Sequence, residues 1–407
     1  MARGGVVAKA LTGVCVAALA LGGSGCTIGD QPSESETSTT TTPPKGDGTL
    51  VLAAVVPSDG EGSAQAAAQR AAVTLAITQI NAAGGFDGTP ITQVDLDLID
   101  PAAAAAALAA QNVDLVIGAG GTPEAVGALA ATPTPVLWAS PTPAHDNVHP
   151  FSPTTATLAA AATATALADG KVSPGVLVPN TDDGKAATTA ITAALTGDAT
   201  LATDAQAYDP GAGSVTVPVT KVKSGNPDAI LVVGDPEPTG RIVTELNRQR
   251  LGPANLPLYL AGPNVTSYDT LPDGALTGTK GVRAGAPSTE EFTASLAGVD
   301  PAVAEADLRF APEAYDATIV AALAALAAQD DDGPTVAEAL AGVTDEGTAC
   351  TSFAACAELI GQDEDIRYEG VSGALTRRDG LRVAGQAALV QYGDDNLPNA
   401  TGSVTVG

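Results

Sequence analysis

From Thr49 onward the hydrophobic positions fall into two alternating kinds of segment: short unbroken runs of Val, Leu and Ile, and longer Ala-rich stretches. The first run, 50–56, reads as a strand. It precedes a stretch over 63–83, closed by Gly84-Gly85, that reads as a helix. The alternation repeats with strands over 94–99, 114–117 and 135–139 and helices over 101–111, 123–131 and 153–168. After Gly170 a second series begins, with strands over 175–178, 199–207, 229–233 and 256–261. Its helices lie over 183–195, 215–224 and 237–251. The tail predicts helices over 311–328 and 336–340 and strands over 371–376 and 387–392. Continuous apolar strands separated by helices imply parallel sheets covered on both faces. Two series imply an α/β protein of two doubly wound lobes, and no period of a repeat array interrupts them.

The residues before Thr49 follow another pattern. Arg3 and Lys9 precede an apolar run over 10–21 that is too short to span a bilayer, and small residues lead to Gly23-Ser24-Gly25-Cys26. This predicts an export signal over 1–25. Cys26 directly after small residues resembles a bacterial lipobox, which implies a lipid on that thiol, although Gly23 stands where the motif has Leu. An ordinary secretory signal and an uncleaved anchor are the alternatives. Residues 26–48 are Ser, Thr, Pro, Gly and acids, and predict a disordered tether. All three readings of the N-terminus place the protein outside the cytoplasm.

Composition narrows the function. With 46 acidic against 18 basic residues the net charge is −28, which repels nucleic acid and anionic head groups. Cys15 leaves with the signal and Cys26 takes the lipid. Cys350 and Cys356 remain as an even pair in an exported chain, which predicts a disulfide with a turn between its ends. No His lies near them in sequence to support a catalytic thiol.

Arg70 to Gly85, closed by Gly88-Thr89-Pro90-Ile91, resembles the first helix of the branched-chain amino-acid binding protein family. Val116-Ile117-Gly118, the loop from Ala139 to Pro143, Pro227-Asp228-Ala229-Ile230 and Gly234-Asp235-Pro236-Glu237 follow in that family's order. So do the segments from Phe310 to Ala317 and from Tyr368 to Thr376. The resemblance implies a type I periplasmic-binding fold, in which two lobes joined by three crossover segments close over a small ligand. It implies an N-terminal lobe of 49–168 plus 285–365 and a C-terminal lobe of 169–284 plus 366–395. It further implies a small polar ligand such as an amino acid, an ABC importer permease as partner, a monomer, no cofactor and no enzymatic activity.

In the family, loops after the third and fourth strands grip the ligand carboxylate with hydroxyls and amides at helix N-termini. Here these are Ala119-Gly120-Gly121-Thr122 and Ser140-Pro141-Thr142, with Thr122 also placed as an N-cap before Pro123. Ser58 follows the first strand, where the family also touches ligand. Where relatives that bind aliphatic amino acids place Tyr, Glu and a further aromatic, this chain has Asp235, Asn264 and the neighbourhood of Asp183. With 3% aromatics, it supplies a polar, acidic pocket instead. Asp235 and Glu237 are candidates for a ligand ammonium, or solvated residues that open a helix. Tyr315 has apolar neighbours at helical spacing and reads as core, and Trp138 reads as core rather than a sugar platform. His145 and His149 lie in a Pro-flanked segment, 143–150, that reads as a loop without a third metal ligand. Gly118 to Gly121 lacks the Lys-Ser/Thr ending of a phosphate loop, and no Gly-x-Ser-x-Gly elbow occurs. The leading expectation is a solute-binding lipoprotein. A sensor or scaffold lipoprotein of the same fold, and an enzyme built on the cleft, are the alternatives.

Overall fold

The computed structural model describes residues 46–407 apart from Glu61, Pro143, Ala144, Asp379 and Val383. The signal, the lipid on Cys26 and most of the tether lie outside the described residues. The first sheet has five parallel strands in the order β2-β1-β3-β4-β5: β1 (Val51–Val56), β2 (Thr92–Asp97), β3 (Leu115–Gly118), β4 (Val136–Trp138) and β5 (Val148–Pro150). Its apolar runs are buried on both faces, as parallel strands require. Val55, Val116 and Trp138 face the helices α2 (Pro101–Ala110) and α3 (Pro123–Ala130). Leu52, Ile117 and Leu137 face α1 (Ser63–Ala82).

The chain then enters a second lobe through 151–154. Strands β6 (Pro174–Pro179), β7 (Gln206–Tyr208), β8 (Ala229–Val233), β9 (Leu258–Ala261) and β10 (Lys280–Arg283) are parallel. Helices α4 (Thr155–Ala168) and α5 (Asp182–Ala194) cover one face of this sheet. Helices α6 (Thr216–Ser224) and α7 (Pro236–Arg248) cover the other. Through 284–289 the chain returns to the first core with α8 (Glu290–Val299), α9 (Ala311–Ala328), α10 (Gly333–Ala339), β11 (Thr348–Cys350), α11 (Phe353–Ile360) and β12 (Ile366–Tyr368). A short hairpin, β13 (Arg377–Arg378) and β14 (Leu381–Arg382), precedes the last crossing. The antiparallel pair β15 (Gly385–Tyr392) and β16 (Pro398–Val406) then extends the second sheet to the order β16-β15-β10-β9-β8-β6-β7. This is the type I periplasmic-binding architecture of two α/β lobes and three crossings.

Among the described residues, α9 alone is long and apolar enough to cross a membrane, but 83% of its apolar window is buried, so it is the core helix of the first lobe. The disulfide joins Cys350, at the end of β11, to Cys356 inside α11, with the expected turn between them.

Several expectations change. Helix α4, assigned from sequence to the first lobe, buries Leu158, Ala162 and Ala166 against the second sheet, so the first crossing precedes it. Ile366, Tyr368 and Leu375 belong to the first core rather than the second, because β12 pairs with β11. The predicted strand over 371–376 is a turn, held by hydrogen bonds to Asp316. Residues 46–48 are not loose tether. The amides of Gly46 and Gly48 donate to Asp330 Oδ1 and Asp331 Oδ2 at 2.7 and 2.8 Å. The segment 143–150 contains β5, which completes the sheet edge beside β4.

Candidate functional site

The carboxyl ends of parallel strands carry the loops that open helices, and ligands bind there in open α/β sheets. In the first lobe these loops pack backbone against backbone. A Cβ added at Gly62, whose φ is 86°, would lie 2.8 Å from Gly120 Cα, so only glycine permits that approach. Thr122 is the N-cap of α3, and its Oγ1 accepts from Ala125 N at 3.3 Å. The amides of Gly121 and Thr122 donate no hydrogen bond among the described residues. Gly120 N donates to Ser140 Oγ at 2.8 Å, which leaves the Ser140 proton to donate elsewhere. The Thr142 hydroxyl is enclosed without a partner. Thr122 and Ser140 thus flank unpaired donors at a helix N-terminus, an arrangement suited to a carboxylate. Ser58 differs: its amide and hydroxyl both donate to the Asp97 carboxylate, whose pKa they lower, so neither donor is left for a ligand. A cavity of about 300 Å³ lies between Pro57, Asp59, Leu98, Ile99 and Thr122. A larger one, about 410 Å³, is lined by Phe86, Leu326 and Ile360 around the C-terminal ends of α1, α9 and α11, away from these loops.

In the second lobe, Asp235 opens α7 without a capping bond and is exposed. Gly234 before it has φ 132°, and a Cβ there would fall 2.1 Å from the Tyr208 hydroxyl, which donates to Val233 O at 2.7 Å. Burial, and then the charge of Asp235, push the Tyr208 phenol well above its ordinary value. Asp183 lies exposed in the first turn of α5. Two sequence candidates do not reach the cleft as free groups. Glu237 pairs with Arg241 one helical turn on, the solvated reading. Asn264 is fully enclosed. Its Nδ2 donates to Val232 O at 3.0 Å and Thr239 Oγ1 at 3.3 Å, bracing the end of β8 against α7, while Oδ1 has no partner.

The crossings meet at charged residues that sequence reasoning did not single out. Arg382 is fully buried and donates to the carbonyls of Phe151, in the first crossing, and of Ser372, Ala374 and Ala384, on either side of the hairpin that leads into the third. Glu313 on α9 accepts from Ala286 N of the second crossing at 2.7 Å, and its Oε2 has no partner. Asp316, one turn on, accepts from Tyr368 Oη at 2.9 Å and from the amides of Val371 and Ser372. Burial raises the Glu313 carboxyl to about 7 against the pull of Arg382, and burial also raises Asp316. The only signal in the sequence was two acids three residues apart on an otherwise apolar helix.

His149 lies on β5, and burial, reinforced by Arg377, lowers its pKa to about 4. His145 Nε2 is enclosed without a partner, and no cluster of metal-ligating side chains forms among the described residues. Trp138 is fully buried, and Tyr315 packs edge-on against Phe292 at 5.4 Å, so both serve the core. Phe310, at the start of α9, has φ 65° and packs against the cores of both lobes.

Residues 49–362 match the model of a family described as periplasmic binding protein. No curated protein matches the chain. Among solved structures, a leucine-binding protein from Thermotoga maritima is 15% identical, with 87% of this chain and 98% of that one covered and a TM-score of 0.57. A branched-chain amino-acid transporter substrate-binding protein from Streptococcus pneumoniae, solved with isoleucine, is 19% identical, covering 88% and 99%, with a TM-score of 0.56. A solute-binding protein of an ABC transporter from R. palustris, solved with 4-hydroxybenzoate, is 15% identical, covering 88% and 97%, with a TM-score of 0.57. At these identities the likeness is one of fold.

Proposed function

The chain belongs to the periplasmic binding protein family, and on that premise we propose that it is an extracytoplasmic solute-binding lipoprotein, anchored through Cys26, that captures a small carboxylate-bearing metabolite between its lobes and delivers it to an ABC importer. The observation that carries this reading is the pair of unpaired amides at Gly121 and Thr122, at the N-terminus of α3, beside the free proton of Ser140. Amides held in that way bind an anion without a basic side chain. Isoleucine and 4-hydroxybenzoate, found in two structures of the same fold, both present a carboxylate. Asp235 and Asp183 supply the polar side of the second lobe, where Asp235 suits a ligand ammonium. Contacts from both lobes favour the closed form, which is the state an importer distinguishes. The role is binding rather than catalysis, in keeping with the substrate-binding proteins that share the fold.

A thermal-shift screen of the purified protein against amino acids, hydroxybenzoates, polyamines and short amides tests this, since a ligand of the native state raises its melting temperature. A carboxylate hit is expected, weakened by both Thr122→Ala and Asp235→Ala. Asp235→Ala is informative because the residue is exposed and caps nothing, so the variant's stability should change by less than about 0.5 kcal/mol. If no compound shifts the transition at millimolar concentration, the sensor or scaffold reading takes its place. That second reading is favoured by the enclosed Asn264 and the paired Glu237, which leave the second lobe few free ligand groups.

A further inference from the structure

Arg283 ends β10, at the carboxyl edge of the second sheet where the chain begins its crossing back to the first lobe. In a chain with 18 basic residues against 46 acidic ones, a half-buried guanidinium without any partner stands out. Arg283 makes no ion pair and no hydrogen bond among the described residues, and its Nε is enclosed without a partner. Nη1 and Nη2 are likewise unpaired but are not enclosed. The neighbouring charges are Asp307 and Arg309, which lie just before α9. Asp307 is already committed. It accepts from Arg309 Nε at 2.7 Å and from Gln65 Nε2, in the first turn of α1, also at 2.7 Å. Two guanidiniums therefore compete for one carboxylate, which leaves one positive charge over where the end of β10 faces this first-lobe polar cluster. Close by on the first lobe, Gln69 donates to Arg309 O while its own Oε1 is enclosed without a partner. Burial lowers the Arg283 pKa and Arg309 lowers it further, so an arriving anion would relieve both costs.

We propose that Arg283 is the anion-reading residue of this protein: its free terminal nitrogens receive a carboxylate or a similarly flat oxyanion of the solute as the lobes close. This deepens the solute-binding reading and rests on it, adding that the second lobe contributes a charge partner for the ligand as well as the acid of Asp235. Arginine is suited to the task because its planar fork matches two oxygens at once, which an ammonium does not.

Two measurements on the full chain test the proposal. In the first, acetate is titrated at constant ionic strength while the arginine Nε–Hε resonances of nitrogen-15-labelled protein are followed. One resonance is expected to move saturably in the millimolar range, and it should be the one missing from the Arg283→Gln spectrum. If that resonance does not move, or if all arginine resonances drift together, the proposal is overturned. In the second, any carboxylate solute found by the thermal-shift screen is measured by calorimetry. Arg283→Gln should weaken it about 10- to 100-fold and Arg283→Lys should recover part of the loss, whereas the corresponding neutral amide should not discriminate between the forms. Equal affinity in a Gln variant with unchanged circular dichroism would refute the role while leaving solute binding intact. If the screen finds no solute at all, the solute-binding reading fails, and the acetate titration still decides Arg283.

Discussion

A buried arginine survives in a protein interior only if its donors are satisfied and its charge is matched, and Arg382 meets both conditions. Four backbone carbonyls take its N–H groups, and Asp316, joined by Glu313 once that carboxyl ionises, supplies opposite charge. Removing one member of such a set leaves the others buried and uncompensated, which costs about 3–5 kcal/mol. Arg382→Met should therefore lower the urea-unfolding free energy by that order although it removes no apolar contact of either core; an unchanged midpoint would mean that the three crossings hold together without it. Sequence reading placed Thr122 as the N-cap of α3 because a Thr before a Pro that opens a helix has a local meaning. It missed Arg382 because the partners are backbone carbonyls 2, 8, 10 and 231 residues away, which leave no side-chain pattern to read. It overvalued Asn264 for the same reason, since enclosure is decided by tertiary packing. Glu237 was legible in principle: Arg241 follows at the i,i+4 spacing.

At the scale of elements, strands buried on both faces and long helices were legible, because an unbroken run such as 229–233 or an apolar stretch such as 311–328 carries its own signal. The elements missed were short or half-exposed. β10 is Lys-Gly-Val-Arg, and β16 presents polar side chains to solvent over most of its length, so neither shows an apolar run. The disulfide was readable from cysteine arithmetic alone, and the structure gives it a job: it ties the end of β11 to α11, two pieces too short to be stable apart. Closing so small a loop contributes about 2 kcal/mol in the chain-entropy model. The double variant Cys350→Ala, Cys356→Ala should lose about that much in chemical denaturation. Faster hydrogen exchange should be confined to 348–368, and protection lost evenly across both lobes would show that the bridge acts on more than its own elements.

Over the whole molecule, a buried carboxyl and a half-buried imidazole near the crossings pull stability in opposite directions with pH. Glu313 is held protonated up to about 7 in the folded chain, against 4.5 for a free carboxyl. Between those values the folded state binds more protons than the unfolded one, so this group's share of stability falls as pH rises. His149 is held neutral down to about 4, against 6.5 when free. Between those values the unfolded state binds more protons, so its share rises with pH. Each slope is about 1.4 kcal/mol per pH unit, and between pH 4.5 and 6.5 the two nearly cancel. Asp114, raised to about 7 by burial and by Asp331, adds a weaker fall because it keeps part of its solvent. The wild-type profile should be shallow through the mildly acidic range and decline as pH approaches 7. Single substitutions should separate the terms: Glu313→Gln removes the main fall that opposes His149, so its stability should climb from pH 4.5 to 6.5, whereas His149→Gln should show the opposite slope. Urea unfolding of the three proteins at half-unit pH intervals reads this directly. Parallel profiles would mean that neither group keeps its folded-state protonation, and the hub at the crossings would then be a set of hydrogen bonds without a charge balance to protect.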